Sequence, residues 1–401
     1  MFRHYAWVML ALLWFVYASF GLVARSIFPI VTPILSDLHL SYSQMGMILG
    51  SWQLTYILAA LVAGSVLDVW GVRGSIFAGA VIMGLSAMLR YFAHDFATML
   101  AFVALFGAGG PMISVGGPKS ISEWFTAGSR GTAIGIYMTG PWVGSLLSLS
   151  LTNSLVMPLM GNSWRHTFVF YGLVTFTIAG IWGFFARSAG SAVSEERSGI
   201  VEVFLCLIRI RNVQILLVTA LFTFAIAHGL TSWLPKILEN SGLSASRAGF
   251  VASIPIVSGL PALLLIPRLV SPGFRGRFIA FFALLNTVNL LIIFYASGAL
   301  LYTGLIMMGF ISSAFMPLML LILMDLPEIG SRYMGSAGGI FFCIAEIGGF
   351  AGPLIMGVLV DITGTFLLGA FFLASLCVGI CVLTLFLRLG SQDTPQYQSA
   401  L

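Results

Sequence analysis

Apolar runs of roughly twenty residues, each long enough to cross a hydrocarbon core about 30 Å thick as a helix, recur along the chain and are separated by short polar breaks. No extended strand-like alternation competes with them, so the pattern predicts helices and not a barrel. Taking the polar breaks as loops gives twelve spans, at 6–35, 43–67, 74–92, 96–117, 131–157, 165–186, 213–236, 247–270, 277–296, 299–325, 333–360 and 365–389. The longest break opens with "ARSAGSAVSEERSG", which has the composition of a linker, and closes with "IVEVFLCLIRIRN", a short amphipathic segment suited to the inner membrane surface. It divides the spans six and six. The expected architecture is an all-α membrane protein of twelve transmembrane helices in two pseudo-symmetric six-helix bundles, 1–186 and 213–401, joined by a cytoplasmic linker at 187–212.

The two halves also repeat. "LSYSQMG" at 40–46 returns as "LSASRAG" at 243–249, an offset of 203 residues, and "PIL" at 33–35 has a counterpart in "PKIL" at 235–238, one residue out of step. Both copies follow the first span of a half and open the second. Transporter folds built from duplicated halves place their binding site where the halves meet.

Composition fixes the solvent. Of the 401 residues 59% are hydrophobic and 8% charged, where a soluble domain carries about 25% charged residues; mean hydropathy is +1.05. The net charge of +5 therefore concerns topology and not nucleic acid. With the N-terminus inside, the outer side holds Arg90, Arg165, Lys236 and Arg247, while thirteen of the 18 Lys and Arg residues fall inside and Arg25 lies within a span. The positive-inside rule then puts both termini in the cytoplasm, as an even span count requires. The run "WVMLALLWFVYASFGLVA" behind Arg3 is too long for the core of a signal peptide and continues to Leu35, so it is expected to be the first spanning helix.

Several chemistries drop out. Cys206, Cys343, Cys377 and Cys381 lie in apolar surroundings without metal-ligand clustering, so no metal, disulfide or other cofactor is expected. His4, His39, His94, His166 and His228 include no H-x-x-x-H pair, and no nucleophile–base set stands out, so an enzyme is not expected. The only lysines are Lys119 and Lys236, and neither belongs to a G-x-x-x-x-G-K-[ST] phosphate loop. Energy would have to come from an ion gradient or from the solute's own gradient.

An ionisable group inside a span costs at least ~2.5–3.5 kcal/mol, which makes each one a functional candidate. Three qualify: Arg25, His228 and Glu346. If the first span enters the membrane near Met9 or Leu10, Arg25 lies about 22–24 Å along it, with ten more apolar residues to follow. The plain alternative is a side chain snorkelling to the outer headgroups. The offset of 203 carries Arg25 onto His228, so a cation and a potential cation fall at matching depths in the two halves. Such a pair suits an anionic ligand: arginine offers a planar fork to a carboxylate, and histidine hydrogen-bonds or shares a proton. Glu346, in "FFCIAEIGGF", reads either as a proton-coupling carboxylate or as a lock between helices. Gln53, Tyr56 and Tyr137 are weaker candidates for a substrate cavity, with packing as the alternative; Asn286 and Asn289 suit interhelical hydrogen bonds.

"GSVLDVWGVRG" at 64–74 resembles the G-x-x-x-D-R-x-G-R-[KR] loop of the major facilitator superfamily, matching at Gly64, Asp68, Gly71 and Arg73 and departing at Val69 and Val72. "GTAIGIYMTGPWVG" at 131–144 is similar to that superfamily's fifth-helix motif, whereas "AFVALFGAGG" has Val103 where the fourth-helix motif carries an arginine. At branch level, "SWLPKILENSGLSASRAG", "GGPKSISEWF" and "AEIGGFAGPLIMGVLVDITG" look most like cyanate and nitroimidazole transporters, and "LDVWGVR" with a proline-bearing fourth helix gives a second likeness to haem and choline exporters. The resemblance implies a monomeric secondary transporter, symporter or antiporter, of a bacterial-type inner membrane, working by rocker-switch alternating access. It also implies a central cavity lined by the first and seventh helices. Some anion-carrying branches have a first-helix arginine at nearly this place. The substrate expected is a small anionic solute, with protons as the coupling ion; the competing readings are a carrier of cationic or amphipathic compounds and a receptor or assembly protein that no longer transports. The resemblance further implies a cytoplasmic gate of Asp68, Arg73, Arg130 and Arg332, in which Asp68 meets a helix N-terminus or a loop arginine.

Overall fold

The computed structural model describes residues 2–188, 208–326 and 329–387; side chains at 2–4, 127 and 330–336 lie outside that description, as do most of the linker and the greater part of its amphipathic segment. Every long element is a helix. In chain order the spans are α1 (Phe2–Arg25), α2 and α3 (the arms 42–70 and 72–89 of Tyr42–Leu89), α4 (Phe96–Trp124), α5 (Ala127–Leu151) and α6 (Trp164–Phe185). After the linker come α7 (Arg211–Asn240), α8 (Ala245–Ala252 and Ile254–Leu269), α9 (Arg275–Tyr295), α10 (Gly298–Asp325), α11 (Gly330–Thr363) and α12 (Leu367–Leu385). Gly71 separates α2 from α3 because its φ of 69° and ψ of 165° turn the chain where a side chain would be strained.

The first span differs from the single helix 6–35 expected from its hydropathy. It is α-helical only to Arg25, then passes through a 3-10 turn at Phe28–Ile30 into a short helix at Val31–Asp37. Pro29 supplies the reason: it has no N–H for the carbonyl four residues back, which is that of Arg25, and its ring crowds that carbonyl. The repeated seven-residue motif has a local cause as well. Ser41 caps α2 by accepting from Gln44 N at 3.1 Å, and Ser244 caps α8 by accepting from Arg247 N at 3.4 Å. Asp95 does the same for α4, and the Thr98 backbone N–H followed by its hydroxyl holds the Asp95 carboxyl below its usual range.

Packing repeats with a period of six helices. Pairs α1–α5, α2–α4 and α3–α6 in the first half correspond to α7–α11, α8–α10 and α9–α12 in the second, and the halves meet through α2–α11 and α5–α8. Small residues allow the closest of these approaches: a Cβ on Gly144 of α5 would strike the Ala18 carbonyl of α1, and one on Gly348 of α11 would strike that of Leu221 on α7. Asn289 donates to Gly304 O on α10 at 3.0 Å and Asn286 to Cys377 Sγ on α12 at 3.6 Å, the interhelical role their sequence context suggested. Arg90, expected at the outer end of the third span among the outward charges, is 1% exposed. A 3-10 turn at Arg90–Phe92 folds its side chain inward, over the Phe168 ring at 5.0 Å and towards Ser86 Oγ at 3.3 Å.

Candidate functional site

The site is organised by the break in α1. Arg25 ends the helix half-buried, its guanidinium 5.0 Å from the centre of the Phe28 ring, and one N–H donates across the interface between halves to Thr231 Oγ1 on α7 at 2.7 Å. Thr231 stands four residues before Pro235, as Arg25 stands four before Pro29, so each contributes a carbonyl that a proline cannot serve. No carboxylate forms an ion pair with Arg25 among the described residues. A guanidinium has five N–H donors, and four remain after Thr231.

One turn before Thr231, His228 faces Gln53 of α2. Gln53 is 1% exposed. Its Nε2 lies 3.1 Å from His228 Nδ1 and 3.3 Å from Gly349 O on α11. A carbonyl only accepts, so the amide nitrogen is the atom that faces both groups, and His228 Nδ1 accepts without carrying a proton. The ring packs against Trp52 and Phe224, with centroids 6.0 and 5.6 Å away. Gly349 is where the third member arrives: a Cβ there would lie 3.0 Å from Glu346 Oε2 and 3.3 Å from both Gln53 Cγ and His228 Cδ2. Glu346 is 8% exposed and lies within electrostatic reach of Arg25. Around this cluster Gln53 Oε1, Trp52 Nε1 and Glu346 Oε2 are buried without protein partners. Unpaired polar atoms of this kind are rare in a folded interior and call for a ligand, water or proton.

The arrangement brings Arg25, His228, Gln53 and Glu346 together and separates the two tyrosines. Tyr56 is half-buried and its hydroxyl is 2.6 Å from Ser114 Oγ on α4. Tyr137 is 0% exposed, its hydroxyl donates to Ile113 O at 2.7 Å, and its ring stacks on Tyr17 at 4.4 Å. In this structure Tyr137 is therefore a packed side chain with a satisfied hydroxyl, stacked on the half-buried Tyr17. Thr231, Trp52 and Tyr17 escaped the sequence reading. Only Thr231 had a usable signal, its spacing from Pro235.

The expected gate residues are spread over three helix ends. Asp68 pairs with Lys119 of α4 at 2.8 Å, each about one-third exposed. Arg73 donates to Gly183 O near the end of α6, and Trp182 Nε1 returns a bond to Arg73 O at 3.0 Å. Arg130 donates to Ser122 O at 2.9 Å, at the end of α4, so both arginines serve carbonyls that have no helical partner. The Arg332 side chain lies outside the described residues.

The family model of the Major Facilitator Superfamily matches residues 13–353, and the chain belongs to that superfamily. Among curated relatives, it is 25% identical to a hexuronate transporter of Bacillus subtilis, with 87% of each chain covered. It is 21% identical to a probable galactarate/D-glucarate transporter of Escherichia coli, covering 90% of this chain and 88% of the relative, and 23% identical to a D-galactonate transporter of E. coli O6:H1, covering 81% and 82%. These relatives replace the cyanate and nitroimidazole branch that the sequence motifs suggested. Among solved structures, a bacterial homologue of the human lysosomal transporter Spinster superposes with a TM-score of 0.77 at 19% identity, over 95% of this chain and 93% of that one. The transporter FucP does so at 0.63 and 16%, over 95% and 99%.

Proposed function

We propose that this protein is a secondary transporter of small, hydroxylated carboxylates of the hexuronate or aldonate kind. The observation that carries the reading is Arg25: a half-buried guanidinium at a helix break between the two halves, held by one neutral hydroxyl and given no acidic partner among the described residues. A bound carboxylate would take its free fork. Gln53 Oε1 and Trp52 Nε1 supply hydrogen-bonding groups for sugar hydroxyls, and the indole supplies an apolar face. The relatives that carry hexuronate, galactonate and galactarate or glucarate support the same class. Glu346 is the group through which a proton would be coupled. The bundles 1–186 and 213–401 rock about this site as a monomer in a bacterial inner membrane, with both termini in the cytoplasm as the loop charges require.

The test is ligand-dependent thermal unfolding of the detergent-purified protein with glucuronate, galacturonate, galactonate, galactarate and galactose. A ligand at one hundred times its Kd stabilises by about 2.7 kcal/mol. Stabilisation by the monoacids but not by galactose is expected. Equal shifts with galactose, or none with any acid, would overturn the assignment.

A further inference from the structure

Glycine, three residues, aspartate, two residues, glycine: this pattern occurs at Gly64, Asp68 and Gly71, and again at Gly357, Asp361 and Gly364. The first copy ends α2 and the second ends α11, the helices through which the halves meet. Both terminal glycines are left-handed, with φ of 69° at Gly71 and 72° at Gly364. Because α2 and α11 run in opposite directions, the two copies lie at opposite ends of the interface. At the end remote from the chain termini, the Asp361 carboxylate accepts from Tyr42 N and Ser43 N of α2, both at 2.8 Å, one oxygen to each donor. These are first-turn N–H groups that have no partner inside the helix, and they carry the positive end of its dipole. Gly357, one turn before, makes the approach possible, since a Cβ there would strike the Tyr42 carbonyl.

We propose that Asp361 is a latch, a residue that holds the remote end of the interface shut in one state and releases it in the other. The proposal rests on the alternating motion described above but not on the identity of the solute. Its bonds cross between the halves, so rocking that opens this end must break both of them. They therefore weigh only on the closed state, and their strength sets how often the end opens. The two copies differ in what they hold: at the terminal end Asp68 pairs with Lys119 of its own half, whereas Asp361 holds the start of α2 across the interface.

The test needs no substrate. Spin labels on the exposed Ser36 and Asn240, on a background without the native cysteines, report the separation of the halves at this end. Asp361→Asn, which loses the charge and one acceptor, should raise the ratio of long to short distances about tenfold, equivalent to about 1.4 kcal/mol. Asp361→Glu should lie nearer the parent. Ser43→Pro removes one donor from the other side at a first-turn position that tolerates proline, so it tests the same contact if the aspartate variant fails to fold. It should shift the ratio in the same direction. Distances unchanged in both Asp361→Asn and Ser43→Pro, with faster hydrogen exchange around Tyr42, would overturn the proposal and leave Asp361 as a local helix cap.

Discussion

Replacing Arg25 separates charge from geometry at the proposed binding site. Arg25→Lys keeps the positive charge but loses the planar fork, and Arg25→Ala loses both. A hydrogen bond to a charged group contributes about 1.5–3 kcal/mol. With one of the five guanidinium N–H groups on Thr231 at 2.7 Å, enough donors remain for a two-point grip on a carboxylate. Loss of one of those two bonds in the lysine variant should weaken binding about tenfold to 150-fold, and loss of both should weaken it by at least about 150-fold. The protein without ligand should not suffer in parallel, because alanine removes a half-buried cation that forms no ion pair among the described residues, and its desolvation cost disappears with it. Titration calorimetry with the tightest-binding acid, on protein checked as monodisperse, measures the first effect, and the unfolding midpoint without ligand measures the second. An alanine variant within twofold of the parent affinity would refute the reasoning and return Arg25 to a headgroup-seeking role.

Glu346→Gln should retain exchange of labelled solute across proteoliposomes but lose accumulation driven by a pH gradient, since glutamine has the shape of the protonated acid and carries no exchangeable proton charge; intact pH-driven accumulation would remove Glu346 from coupling. Asp68→Asn and Lys119→Ala should shift the accessibility of the two membrane faces in the same direction, and the double variant should shift it by less than their sum, because both break the 2.8 Å pair; additive shifts would show that they act apart. Gly144→Ala should lower the unfolding midpoint, with overpacking costing about 1–3 kcal/mol, because its methyl would strike the Ala18 carbonyl; an unchanged midpoint would mean that α1 and α5 are free to separate.

Hydropathy was enough for the twelve spans, because lipid forces every backbone polar group to be satisfied within its own helix and so makes spanning segments visible as runs. It could not reveal the end of α1, since the residues beyond Arg25 are as apolar as those before it and only Pro29 marks the interruption. The burial of Arg90 was hidden for a related reason: a loop-adjacent charge looks the same in sequence whether it points to solvent or turns inward onto Phe168. In the site, charge was legible and hydroxyl chemistry was not. Arg25, His228 and Glu346 stand out against an apolar background, whereas Thr231 is one of many threonines whose hydroxyl could equally have bonded back within its own helix, and here also does so to Ala227 O at 2.6 Å. The packing of Tyr137 was not legible either, because a tyrosine whose hydroxyl is free and one bonded to a backbone carbonyl, as here to Ile113 O, look the same in sequence.

The repeat itself explains why the site is asymmetric. Loop motifs relate the halves by 203 residues, which pairs Arg25 with His228, whereas setting Pro29, where the first helix is broken, against Pro235, which α7 passes through unbroken, gives 206 and sets Arg25 against Thr231. The difference of three residues lies between each proline and its capping serine, where the first half has the added 3-10 turn and short helix while α7 runs helical through Pro235 to Asn240. The two prolines therefore stand in different local structures, a break in the first half and a continuous helix in the second. Arg25 donates to Thr231 across the interface between the halves, so the two halves contribute different groups to one contact. A solute held there meets a cation from one half and a hydroxyl from the other. In the proposed site, divergence of the halves sets a guanidinium from one against a hydroxyl from the other, an arrangement that would give one negative charge a defined orientation.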